Sequence, residues 1–145
     1  PGDAFVSPLD TVTRLPVIPL FGDGGTRLQP VHVVDVAQAV AASLARADAC
    51  GRVYELGGAE VLRYRDVLRA VLRQRGRRRA MVPVPFSAWR GLACASSVLP
   101  NPPLTRDQLV LMAADNVVGR DVATFADLGI EPRGFTEALA ECLGQ

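Results

Sequence analysis

The sequence has no lysine, and all 16 of its basic residues are arginine. That excludes a lysine Schiff base and a phosphate-loop lysine. A coding bias towards alanine, arginine, glycine and valine accounts for the absence. There is one histidine, His32, and no second histidine or cysteine stands at ligand spacing from it, so no metal centre is expected. Three cysteines, Cys50, Cys94 and Cys142, are far apart and odd in number, which excludes a disulfide framework. They are expected as reduced, mostly buried thiols in a reducing compartment. No apolar run reaches transmembrane length and no signal peptide is visible. The net charge of +1 gives no general argument for a nucleic-acid partner. The first residue is proline, which suits a processed product or a fragment.

What is present is a chain of 145 residues, 49% of them hydrophobic, long enough for a single domain (1–145) with a real core. It is organised around residues 22–40. Gly22, Gly24 and Gly25 mark a tight turn. Val31, Val33 and Val34 are β-branched and predict a short strand. Asp35 is then expected to cap a helix over 35–47, with Gln38 reaching back to it. That helix is expected to bury Val36, Val40, Ala41 and Leu44.

Before this stretch, Phe5, Val6, Leu9, Val12 and Leu15 fit one face of a short helix starting at Ser7-Pro8. Residues 17–20 form an extended edge piece. After it, a strand over 52–56 closes at Gly57-Gly58. A helix over 64–75 presents Tyr64, Val67, Leu68, Val71 and Leu72 to the core and stops at Gly76. A strand over 80–84 is held to an edge by Pro83. A helix over 86–99 carries Trp89, and residues 100–103 form a stiff linker. Thr105 to Gln108 reads as a capping box, with Leu104 and Leu109 as a hydrophobic staple. A helical turn around 125–128 and a helix over 135–143 end the chain. Strand and helix alternate, which predicts an α/β fold. The strands are few and short beside several helices, so part of a larger fold is expected.

The residues Arg27-x-Gln-Pro-Val-His-Val-x-Asp-Val-Ala-x-Ala-Val40 and Tyr54-Glu-Leu-Gly-Gly58 resemble the C-terminal segments of extended and atypical short-chain dehydrogenases/reductases. Pro1-Gly2-Asp3 is similar to the end of a turn after one of their central strands. Pro103 to Leu109 and Asp115-Asn-Val-Val118 are similar to the atypical subgroup that includes the NADPH-holding accessory subunit of respiratory complex I. The resemblance covers nearly the whole chain in order. It implies the C-terminal, substrate-side portion of a Rossmann-like fold. The Gly-x-x-Gly-x-x-Gly turn of such proteins is absent, and without lysine their Tyr-x-x-x-Lys pair cannot exist here. Both are expected in an upstream dinucleotide-binding half.

On this reading the parent holds NADP or NAD, and this chain alone holds none. The resemblance implies an accessory, structural role, with no catalytic residue here and a respiratory-complex or membrane-associated partner. It places the protein in the cytoplasm or peripherally at the inner membrane. Two alternatives stay open: part of a nucleotide-sugar epimerase, dehydratase or reductase, and a stand-alone interaction module. Arg27, Gln29 and His32 are the candidates for a ligand cleft. The resemblance aligns Arg27 near an arginine that pairs with a nucleotide-sugar diphosphate. Asp35 and Thr105 read as structural caps. The turn at 22–25 reads as a turn more than as an anion cradle, and Tyr54 as a core residue with a polar tip. Arg73, Arg77, Arg78 and Arg79, with Arg75, form the densest run of charge. They suit a solvated face, an anion or an acidic partner surface.

Overall fold

The computed structural model describes residues 5–96 and 106–144. Six α-helices and four short strands follow one another in mixed order among these residues. The chain divides into two compact units, one of residues 1–27 and 63–116 and one of residues 28–62 and 117–145.

In the first unit, α1 (Val6–Val12) precedes β1 (Val17–Phe21). The chain leaves this unit within β2 (Arg27–Leu28) and re-enters it within β3 (Leu62–Arg63). It continues as α3 (Tyr64–Gln74), β4 (Ala80–Val84), α4 (Phe86–Ser96) and α5 (Arg106–Ala113). β1 and β4 pair in parallel, from Val17 beside Ala80 to Phe21 beside Val84. A two-stranded ladder has an open edge on each strand, so Pro19 and Pro83 break no required bond. Ile18 and Leu20 are buried, as are Val67, Leu68, Val71 and Leu72 of α3. The predicted face of α3 is therefore the buried face. Its end is a Schellman motif: Arg77 N–H donates to the Leu72 carbonyl (2.8 Å) and Gly76 N–H to that of Arg73 (3.0 Å). Gly76 supplies the left-handed φ of +61° this requires. Trp89 is half-buried against β1. Its ring lies 4.7 Å from that of Phe21 and its indole N–H donates to the Leu20 carbonyl at 3.0 Å.

In the second unit, α2 runs over Val33–Leu44 and α6 over Phe135–Leu143, with 3₁₀ turns at Ala47–Ala49 and Ala126–Leu128. Ala39, Phe125 and Leu128 form its core, with Ala42, Tyr54, Leu56 and Ile130 against them.

Several expectations are corrected here. The valines at 31–34 form no strand. Val33 and Val34 open α2, where no preceding turn crowds a β-branched side chain. His32 is the N-cap residue, and Asp35 lies inside the first turn rather than capping it. Val40 and Leu44 are 52% and 83% exposed, because the contact with Phe125 and Leu128 selects Ala39 as the buried side. The segment over 52–56 makes one parallel bridge, Tyr54 to Ala123, instead of a full strand. α1 begins at Val6, one residue ahead of Ser7-Pro8, with Phe5 and Leu15 exposed. Cys50 and Cys94 are exposed and Cys142 is half-buried, so the thiols are not mostly buried. Residues 1–3, the linker at 100–103, Leu104 and Thr105 lie outside the described residues, as does the predicted end of α4 at 97–99.

Candidate functional site

The turn at 22–25 closes on itself. Asp23 Oδ1 accepts the Gly25 N–H at 2.8 Å, and Gly24 N–H donates to the Phe21 carbonyl at 3.0 Å. A Cβ on Gly24 would meet the Arg65 Cβ at 2.9 Å, so the glycine permits a close approach. This is a packing turn.

Gln29 is a hub of the second unit. Its side-chain N–H donates to the Gly58 carbonyl (2.8 Å), and its Oε1 accepts the Val118 N–H (3.0 Å). Gly58 N–H returns a bond to the Gln29 carbonyl at 3.3 Å. A Cβ on Gly58 would overlap the Pro30 carbonyl, and one on Gly57 the Gln29 side chain. Glu55 adds a bond from Gly119 N–H at 2.8 Å. Three loop segments are thus laced together through one amide.

His32 belongs to a second polar cluster in the same unit, which joins the start of α2 to α6. Asp35 is 2% exposed. Its Oδ2 accepts the Arg133 N–H at 3.0 Å, and the Arg133 guanidinium lies 3.4 Å from Oδ1. The same guanidinium pairs with Glu141 at 3.1 Å and touches His32 Nδ1 at 3.5 Å. His32 Nε2 lies 3.7 Å from Glu141 on the other side of the ring. Asp35 also lies in the first turn of α2, where a negative charge is favoured. Arg133 and Glu141 carry no signal in the sequence, because their partners at the start of α2, Asp35 and His32, are about a hundred residues away.

Arg27 lies at the edge of the first unit. Its N–H and Nε grip the two oxygens of Asp115 at 2.7 and 2.9 Å. The backbone bond from Arg27 comes first among the causes that hold the Asp115 carboxyl below its usual value. The Arg27 side chain remains 58% exposed, and its Nη groups make no hydrogen bond among the described residues. Arg27 falls in one unit, and Gln29 and His32 in the other.

The arginine run is divided in use. Arg75 and Arg77 turn inward onto Asp10 at 3.0 and 2.9 Å, joined by Arg14 at 3.2 Å. Arg77 also donates to Thr13 Oγ1 at 2.9 Å. Burial pushes the Asp10 carboxyl up, but hydrogen bonds from Arg75 and Arg14 and the charges of Arg75 and Arg77 hold it below its ordinary value. Arg77 is therefore first a structural residue. Arg73, Arg78 and Arg79 are exposed, with no carboxylate partner among the described residues. The Tyr54 hydroxyl is buried without a partner, which gives its polar tip no tie. No group of three or more His, Cys, Asp or Glu suited to a metal ion occurs among the described residues. No helix among them is long and apolar enough to cross a membrane.

No family model matches the chain. It is 31% identical over 134 residues to the Arabidopsis thaliana mitochondrial NADH dehydrogenase [ubiquinone] 1 alpha subcomplex subunit 9, covering 83% of this chain and 33% of that protein. It is also 31% identical over 107 residues to the mitochondrial NADH-ubiquinone oxidoreductase 40 kDa subunit of Neurospora crassa, covering 73% of this chain and 28% of that one. The chain thus spans about a third of the length of the curated relatives it matches. Among solved structures, an Escherichia coli NADPH-dependent quinone oxidoreductase complexed with NADPH superposes with a TM-score of 0.69 at 15% identity, over 97% of this chain and 50% of that one. A dTDP-glucose 4,6-dehydratase from Bacillus anthracis in complex with NAD gives 0.61 at 18%, over 96% and 37%.

Proposed function

From the premise that this chain is homologous to these complex I subunits and shares the Rossmann-like fold of the NAD(P)-binding short-chain dehydrogenases, we propose that it is the C-terminal portion of an NAD(P)-holding protein of the complex I accessory type. Its role there is to shape and support a ligand cleft rather than to perform chemistry. The observation that carries this reading is the use of Gln29. Both ends of its amide are engaged, by Gly58 and Val118, so it holds loops in place. His32 is likewise engaged, by Arg133 and Glu141, as a positioning residue. Of the three cleft candidates, Arg27 keeps exposed donors and is the one suited to a phosphate oxygen.

An exposed apolar stripe on α2, Val33, Ala37, Val40, Ala41 and Leu44, supports a further portion of family length lying against this chain. The dinucleotide site and any Tyr-x-x-x-Lys pair belong to that portion. The partner is a respiratory complex, at which the protein sits peripherally. The test is isolation of the protein from its source cells, with nucleotide extraction and turnover assays. Bound NADPH or NADH, co-purification with NADH dehydrogenase subunits and no turnover are expected. Turnover of a nucleotide sugar would replace this reading with the dehydratase one, and a protein without nucleotide would overturn both.

A further inference from the structure

Charge in this chain is sorted along the sequence. Between Asp66 and Asp107 there are eight arginines and no acidic residue, in a chain whose net charge is only +1. The fold gives that imbalance a place. β1 and β4 are parallel and in register, so the segments entering them lie at the same end of the ladder. Arg14 and Leu15 enter β1, and Arg77, Arg78 and Arg79 enter β4. The Asp10 carboxylate draws Arg14, Arg75 and Arg77 together at that end. Arg78 and Arg79 remain exposed beside them, and Arg73 lies in the last turn of α3.

The ladder itself has two unlike faces. Ile18 and Leu20 are buried. The opposite face carries the register pairs Val17 with Ala80 and Pro19 with Val82. Val17 is 46% and Val82 45% exposed. A wholly apolar strip therefore starts where the exposed arginines end.

The geometry points to this surface as a docking face for an anionic phospholipid membrane. Guanidiniums pair with phosphodiester oxygens, and the small apolar strip beside them enters the headgroup boundary. A two-stranded sheet face offers no cleft to grip a shaped protein partner, whereas a lipid surface asks for none. No described helix is long and apolar enough to cross.

The test is co-sedimentation of the 145-residue chain with vesicles of phosphatidylglycerol and phosphatidylcholine, against pure phosphatidylcholine. Preferential partition onto the phosphatidylglycerol vesicles is expected, weakening as salt rises. A basic residue at an anionic surface changes partition about fivefold. The double variant Arg78→Gln/Arg79→Gln should lower it about 25-fold. Val82→Asn, which leaves every charge in place, should lower it severalfold. Arg52→Gln/Arg120→Gln makes the same change of net charge in the other unit and should leave partition near wild type. Equal loss in both double variants would show that net charge alone is read, and would overturn the proposal. So would wild-type partition in R78Q/R79Q, or no preference for phosphatidylglycerol, which would leave an acidic protein as the partner of these arginines.

Discussion

At the residue scale, Asp10 is the most committed side chain of the first unit. It is 6% exposed and accepts from three guanidiniums that arrive from the segment just after α1, the end of α3 and the following loop. Asp10→Asn removes the charge that balances them and should cost about 1–3 kcal/mol, read by urea denaturation at neutral pH. The same measurement across pH carries a sign. The folded carboxyl titrates below its ordinary value, so the stabilisation is complete above that value. It is lost as pH falls through the folded one. Wild type should therefore lose stability below about pH 5 more steeply than Asp10→Asn. A variant with an acid limb as steep as wild type would show that other carboxylates set the acid sensitivity.

At the element scale, α3 and α2 show what a local pattern can and cannot convey. In α3 the apolar residues fall on one side and arginines on the other, and the five core positions read from that spacing are the five buried. α2 is valine and alanine on nearly every side, and the face that spacing selects, with Val40 and Leu44, is not the one the fold buries. Its orientation is set by Phe125 and Leu128, more than eighty residues later. The buried Asp35 is a sharper case. A short acidic residue ahead of a helix suggests a cap, and only Arg133, far along the chain, turns it into the anchor of an ion cluster. Gln29 was legible as a residue of note from its motif, but its two bonds to Gly58 and Val118 were not. The stripe that spacing assigned to the core of α2 is instead outside. Val40→Gln/Leu44→Gln should leave the stability of this chain within about 0.5 kcal/mol of wild type. In the family-length protein the same pair should cost about 2 kcal/mol or more, if the stripe is covered there. Thermal denaturation of both lengths decides it, and an equal small effect in each would leave the stripe uncovered.

At the scale of the whole molecule, the described residues offer positioning groups and no reactive set. The Rossmann-like likeness covers nearly all of this chain but at most half of the quinone oxidoreductase and less of the dehydratase. The proposed nucleotide-holding function therefore belongs to the longer protein. Titration of NADPH into this chain alone, followed by nicotinamide fluorescence, should show no saturable change. Saturable binding here would place a nucleotide site among Arg27 and its neighbours and revise the assignment.

The two compact units are interleaved along the chain, each built from an earlier and a later stretch. During synthesis, β1 leaves the ribosome long before β4, so it waits unpaired while much of the other unit is made. The second unit waits longer still, for α6 at the far end. Neither can be finished early and set aside, and no single cut frees one from the other. Isolating either unit would therefore take at least two cuts and a new join between its earlier and later stretches.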